Sequence, residues 1–452
     1  MPVGSPAFLC FVAVALLVYW LLPAAFRNRW LVVTSLGYAA SWGLAPAALL
    51  GGLTVFNVLL GELFDTTPQR RRVLLAAGLT VNVVSMLLLR HAQWMGPGGT
   101  IGLSFYGLQA ISYLLDRSRQ VLNPRPARSD VALYLLYFAK ITAGPVERAA
   151  PFLRDLKRSR VVDDDTVFRS VGLLASGMVR KLWIAETFAG TIPPGAFTDP
   201  ARFDAATLTY ALIAGVFYLY NDFAGYTDTV RGLSGLFGIE LSPNFAQPFF
   251  ARSFSEFWTS WHASFMAWLR EYVYIPISRM ILRRDPRLRG AANIVLPPLA
   301  TMLVSGLWHG TSPRFVVWGV LEGSYLAGER WISLWRQRRV GKPRAAGSIF
   351  TIPLVFVLGL IAFVPFYMDL DTAAIFLQRV ATANAWAAPS ATLSLALAAS
   401  LLLDGWERLA PAASARVWTL RPVRVALLVF VVLGWLLSGV DVYRRPFMYQ
   451  LF

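Results

Sequence analysis

A single cysteine, Cys10, stands among 452 residues, which excludes an intrachain disulfide framework. It lies within the first apolar block, where a thiol is inert, so it is given no catalytic part. Charge is also scarce: 15% of the residues are Asp, Glu, Lys or Arg, against 56% hydrophobic. A water-soluble domain of this length needs more charge on its surface than that. Only three histidines occur, His91, His262 and His309, so few groups can act as a base near neutral pH. With no cysteine beside any of them, no metal site is expected. The chain contains no Gly-x-Ser-x-Gly nucleophile elbow, no P-loop and no His-Glu-x-x-His. It also has no internal repeat, which counts against a transporter built from two related halves.

What the chain does contain is apolar residues in blocks of membrane-spanning length. They lie near 8–22, 30–40, 46–62, 73–89 and 101–115, then near 171–189 and 205–222, and again near 293–307, 313–328, 350–367, 390–404 and 424–440. The segment 131–143 is apolar but short, and Gly144-Pro145 breaks it; it reads as re-entrant. The stretch 224–292 has no 18-residue apolar run. Within it Phe254, Phe257, Trp258, Trp261, Phe265 and Trp268 recur at three- and four-residue spacing, which predicts one amphipathic helix at an interface or lining the bundle. The fold class is therefore all-α: a polytopic membrane helix bundle with roughly ten to twelve spans plus re-entrant and amphipathic helices, in one domain over residues 1–452.

The net charge of +17 comes mostly from arginine. In a soluble protein that would suggest nucleic acid. Here the arginines sit in short connections between apolar blocks, which points to anionic lipid headgroups and excludes nucleic acid. Arg27 and Arg29 follow the first block, Arg70 to Arg72 precede the fourth, and Arg117, Arg119, Arg125 and Arg128 follow the fifth. The intervening turns, 41–45 and 95–100, carry no charge. The positive-inside bias then places the arginine loops in the cytoplasm and the N-terminus outside. The first block lacks a preceding basic residue and a following cleavage pattern, so it reads as a retained span.

His309 ends an apolar block in Ser305-Gly306-Leu307-Trp308-His309-Gly310-Thr311. An ionisable residue at that depth is a functional candidate, the alternative being a histidine that hydrogen-bonds between helices. Glycines on both sides allow another chain or a substrate to approach closely. His262 lies in Trp258-Thr259-Ser260-Trp261-His262, where an aromatic-belt position is the alternative. His91 is an ordinary helix-end residue. Asn221, Asp222 and Tyr226 cluster around Gly225, and Arg180 and Lys181 interrupt an apolar block; structural ion pairing is the plainer reading for most of these charges.

These motifs together resemble the membrane-bound O-acyltransferase family, in its bacterial branch with alginate O-acetyltransferase and teichoic acid D-alanyl transferase. Residues 220–228 resemble the family's YFDFSGYSD signature, with Asn221 and Ala224 as departures. Phe257-Trp258-Thr259-Ser260-Trp261-His262, Trp268-Leu269-Arg270, Tyr274-Ile275-Pro276 and Gly306-Leu307-Trp308-His309-Gly310 follow in order. Earlier, residues 101–113 resemble GISFYTFQAISY and residues 143–148 resemble AGPIVR. The ending, 446–452, resembles PFIYFQF with its aromatic order disturbed.

The resemblance implies that His309 is the general base and that His262 assists it. Asn221, Asp222, Tyr226, Trp258, Trp261 and Trp308 are then candidates to line the substrate channel. It implies an inner-membrane, multi-pass enzyme with no bound cofactor. The acyl donor, acetyl-CoA or an acyl carrier protein, is a substrate arriving from the cytoplasm. The acyl group moves toward a hydroxyl on an extracellular polysaccharide or cell-wall polymer, in some relatives through a separate extracytoplasmic transferase. D-alanyl transfer, lipid or small-molecule acylation, and non-enzymatic transport are the alternative functions. A donor and an acceptor on opposite sides of a membrane require a passage, expected to be polar-lined and narrowest at His309.

Overall fold

The computed structural model describes residues 1–3, 5–88, 102–158, 160–161, 163–284, 290–340, 348–382 and 386–409, with 422, 423, 425, 426, 429 and 430. His91, the 95–100 turn, the 424–440 span and the 446–452 ending lie outside these residues or almost wholly so. Of the described residues 81% are helical, and none is in a strand. It is thus an all-α membrane fold. Four described helices are long and apolar enough to cross a membrane: Leu44–Thr66, Pro68–Leu88, Ala291–His309 and Ile349–Tyr367. Of the Pro68–Leu88 window only 11% is buried. Apolar side chains left uncovered on such a scale fit a hydrocarbon solvent, where they lose nothing by facing outward.

The residues divide into two compact units. The first takes Met1–Gly177, Thr227–Pro243 and Val417–Leu451. Between its helices Leu44–Thr66, Arg71–Leu88 and Leu103–Ser118, polar side chains join what apolar packing alone would leave loose. The Asn82 amide donates to Asn57 Oδ1 at 2.8 Å, and Asn57 Nδ2 returns a bond to Asn82 Oδ1 at 3.2 Å. Such amide pairs tie helices together where lipid offers no driving force. The segment expected to be re-entrant is two short helices, Arg128–Leu136 and Phe138–Ile141, broken at Tyr137. It is deeply buried in protein, the condition under which broken backbone is tolerated in a bilayer.

The second unit comprises Met178–Tyr226 and Asn244–Arg416. The helix Ala205–Leu236 supplies it with Tyr220 to Tyr226. That helix opens on Asp204, whose carboxylate accepts from the Thr207 N–H at 2.9 Å and the Thr207 hydroxyl at 2.8 Å. Those bonds stabilise the charged form and hold the carboxyl below its usual range. A π-helical turn, Val179–Ala185, presents Arg180 and Lys181 on adjacent positions. Arg180 pairs with Asp404 at 2.7 Å, and Asp404 also accepts from the Tyr220 hydroxyl at 2.9 Å. Lys181 pairs with Asp222.

The helices Ala291–His309 and Pro313–Val340 form an antiparallel hairpin that carries His309 at its tip. Glycines set how closely they approach. A Cβ on Gly306 would come within 2.2 Å of the Phe315 carbonyl oxygen, and one on Gly319 within 2.5 Å of the Met302 carbonyl oxygen. The close approach expected of Gly306 is therefore made by a neighbouring helix.

The single aromatic helix expected over residues 254–268 is two helices, Phe254–Ser260 and Ala263–Leu269. They break at His262, whose backbone is left-handed at φ 46° and ψ 45°. Residues 244–246 hold the break. The Ala263 N–H donates to the Asn244 carbonyl at 2.8 Å, and the Ala246 N–H donates to the Ser260 carbonyl at 2.9 Å. Backbone groups released by the broken helix are thus paired with a segment well upstream.

Candidate active site

His309 is the last residue of its helix and is 5% exposed. Aromatic rings surround it. Trp308 lies 4.9 Å away between centroids, Phe366 5.1 Å and Trp318 5.2 Å, the last two nearly perpendicular to the imidazole. Phe315 completes this side at 6.2 Å, and Gly310 makes room for it, because a Cβ there would meet the Phe315 ring at 2.3 Å. These rings form an aromatic cage on His309. Such a cage keeps bulk water away from the ring, where competing hydrolysis would otherwise begin.

The left-handed turn tips His262 inward, where it is 2% exposed. Phe223 lies at 4.8 Å and Phe265 at 5.0 Å. Its Nδ1 faces Asn244 Oδ1 at 3.3 Å, and the backbone N–H of Ser264 faces the same atom at 3.2 Å. A backbone N–H can only donate, so that atom is the amide oxygen. The His262 Nδ1 must then carry a proton, and in the neutral ring Nε2 is left as the basic nitrogen.

The two imidazoles share neighbours. Trp308 lies 6.2 Å from His262 and 4.9 Å from His309, which puts the rings at most about 11 Å apart. Phe265 touches both, at 5.0 and 6.4 Å. Residues 47 positions apart in the chain are thus gathered into one aromatic cluster.

The other predicted residues take several places. Trp308 touches both histidines. Trp258 donates through its indole N–H to Glu322 Oε2 at 3.0 Å and packs on Trp318 at 5.8 Å. Trp261 stacks on Phe257 at 5.6 Å and touches Phe363 at 5.6 Å, and Phe363 in turn touches Phe366. Asn221 donates to Ser400 Oγ at 3.0 Å and lies beside Arg180, while Asp222 is held by Lys181. Tyr226 is 3% exposed. No group of three or more potential metal ligands occurs among the described residues.

Sequence reasoning passed over Trp318, Phe366, Glu322 and Asp404. For the two acids a signal existed, since each is a carboxylate inside an apolar block. The aromatic pair carried none, being ordinary bulky residues among many.

Comparison with known proteins bears on the family of the chain. Residues 79–368 match the family model described as MBOAT, membrane-bound O-acyltransferase family. The probable alginate O-acetylase AlgI of Pseudomonas fluorescens is 31% identical over 368 residues, 78% of this chain and 70% of that protein. The peptidoglycan O-acetyltransferase of Helicobacter pylori is 28% identical over 383 residues, 72% of this chain and 70% of its own length. The teichoic acid D-alanyltransferase of Streptococcus thermophilus is 24% identical over 260 residues, 56% of this chain and 62% of that protein. The chain belongs to the membrane-bound O-acyltransferase family and is an O-acyltransferase.

Proposed function

We propose that the chain acts as one domain over residues 1–452 and moves an acetyl group onto a hydroxyl of an extracellular polysaccharide or cell-wall polymer, with His309 as the general base. The observation that carries this reading is the position of His309: a buried imidazole ending an apolar helix, caged by aromatic rings beside a second buried histidine. The alginate and peptidoglycan acetylases are matched over more of this chain than the D-alanyltransferase, which favours acetyl over D-alanyl.

The donor is a thioester, acetyl-CoA or an acetyl-charged carrier protein, reaching the site from the cytoplasm. As the hydroxyl oxygen attacks the carbonyl carbon, His309 takes the hydroxyl proton. The carbonyl π electrons move onto oxygen, then return as the C–S bond breaks, and the proton passes from His309 to the departing thiolate. His262 supports this step from within the same aromatic cluster, with its tautomer fixed by Asn244. Asn221, Asp222, Tyr226, Trp258, Trp261 and Trp308 line the approach. The enzyme resides in the inner membrane with its N-terminus outside, and it passes the group to the acceptor directly or through a separate extracytoplasmic transferase.

The test uses purified protein in lipid nanodiscs with acetyl-CoA or an acetyl-charged carrier protein as donor and a soluble polysaccharide as the hydroxyl acceptor. Thioester consumption is followed for the wild type and for His309→Ala. Consumption by the wild type, lost in the variant, is the expected result. Equal rates at matched protein would remove His309 from the chemistry.

A further inference from the structure

Close to His309 lies a buried polar atom that meets no acceptor among the described residues, the indole nitrogen of Trp318. Trp318, on the helix Pro313–Val340, is 2% exposed and packs on His309 at 5.2 Å with the rings at 88°. Trp258 and Phe366 hold it from other sides, at 5.8 and 5.5 Å. Its indole nitrogen is buried and meets no hydrogen-bond acceptor among the described residues. Its neighbour Trp258 has the same chemistry and is satisfied, because its N–H reaches Glu322. Glu322 lies one helical turn beyond Trp318, so an acceptor is close by and serves the other indole.

A buried N–H left without a partner costs free energy and calls for a reason. Trp318 is also unable to move toward one. The close approach of Gly319 to Met302 fixes the helix beside it, and three rings fix the indole plane. A rigid donor in a dry site is what a developing negative charge requires, since such a donor needs no reorganisation at the moment of reaction.

We propose that the Trp318 indole N–H is the hydrogen-bond donor to the acyl carbonyl oxygen as that oxygen becomes an oxyanion next to His309. This rests on the acyl-transfer reading above. The ligand it recognises is the carbonyl of a thioester, R–C(=O)–S. When the acceptor hydroxyl forms its C–O bond and gives its proton to His309, the electron pair arriving on the carbonyl oxygen is met by this N–H. When the pair returns, C–S cleaves and the bond to Trp318 relaxes. No other reactant is needed.

The experiment removes the N–H and keeps the ring. Trp318 is replaced by 3-benzothienylalanine, which carries sulfur in place of N–H, and in a second variant by Phe (Trp318→Phe). Turnover of acetyl-CoA and of acetyl-charged carrier protein, in the presence of the same polysaccharide acceptor, is measured for each, with the melting temperature. The expected result is a fall in kcat of about 10²-fold with KM little changed, in a variant that melts like the wild type. Wild-type kcat in the sulfur analogue overturns the proposal and leaves Trp318 a packing residue, its N–H facing an aromatic ring.

A spectroscopic readout is independent of turnover. The inert ketone analogue of acetyl-CoA, labelled with ¹³C at the carbonyl, is bound to wild type and to the benzothienylalanine protein. Its stretching band is expected at lower frequency in the wild type, and the same frequency in both overturns the proposal. Failure of the wild-type protein to consume either thioester is a different result: it overturns the acyl-transfer reading on which the proposal stands.

Discussion

Single atoms decide the chemistry of this site, and the histidine rings are where they can be tested. Losing a general base costs about 10²–10⁴ in rate, so His309→Ala is expected to lower kcat by that factor while the protein remains folded and extractable. His262→Ala is expected to fall less far. Asn244→Leu should reproduce the His262 defect, because the side-chain oxygen that fixes the proton on Nδ1 is then gone. Steady-state kinetics on the three purified variants check the series; a fully active Asn244→Leu would detach the tautomer from the mechanism. Both histidines were legible in the sequence because so few exist and because one ends an apolar block. The partnership of His262 with Asn244 was not, since 18 positions separate them and the left-handed turn that joins them contains neither glycine nor proline.

At the scale of elements, close packing and paired charge govern stability. Gly319→Val places a side chain against the Met302 backbone and should destabilise the hairpin by about 1–3 kcal/mol, since backbone gives way less readily than a flexible side chain. Gly328→Ala, on the same helix but with nothing within 4 Å of the added carbon, should be neutral or stabilising by up to about 1 kcal/mol. Thermal melts in a fixed detergent compare the two, and equal effects would deny the hairpin its close approach. The Arg180–Asp404 pair is a different case. Arg180→Ala leaves a buried carboxylate uncompensated and should cost about 3–5 kcal/mol, whereas Arg180→Met combined with Asp404→Leu should recover most of that loss. A double variant no more stable than the single one would show that the pair does more than satisfy itself. Periodicity found the long apolar helices, because spacing and length are local properties. It merged Phe254–Ser260 with Ala263–Leu269 into one helix, because the aromatic spacing continues across a break held by residues 244–246. Tertiary hydrogen bonds override local pattern there.

For the whole molecule the open quantity is direction across the membrane, and the hairpin bearing His309 supplies a way to read it. The helix Pro313–Val340 has 28 residues and is about 42 Å long at 1.5 Å per residue, well over the roughly 30 Å of a hydrocarbon core. One end is expected to project, and the exposed Arg336, Arg338 and Arg339 mark which. The partner helix, Ala291–His309, begins shortly after the exposed Arg283 and Arg284. Since the two helices are antiparallel, both basic ends lie on one side and the turn 310–312 on the other. By the positive-inside bias the basic ends are expected to face the cytoplasm, as Arg70 to Arg72 are. On that expectation His309 would sit at the extracytoplasmic end of its helix, on the side where the proposed polymer hydroxyl arrives, and the acyl group would be what travels. In a Cys10→Ser background, Gln69→Cys, Arg284→Cys and Arg338→Cys are expected to react with a membrane-impermeant maleimide only after cells are opened. Thr311→Cys, in the exposed turn beside the site, and Gly98→Cys, in the uncharged 95–100 turn, should react in intact cells. Labelling of Thr311→Cys and Arg338→Cys from the same side would break the hairpin topology. Thr311→Cys reacting only in opened cells would put the histidine at the cytoplasmic face and require the acceptor, rather than the acyl group, to cross.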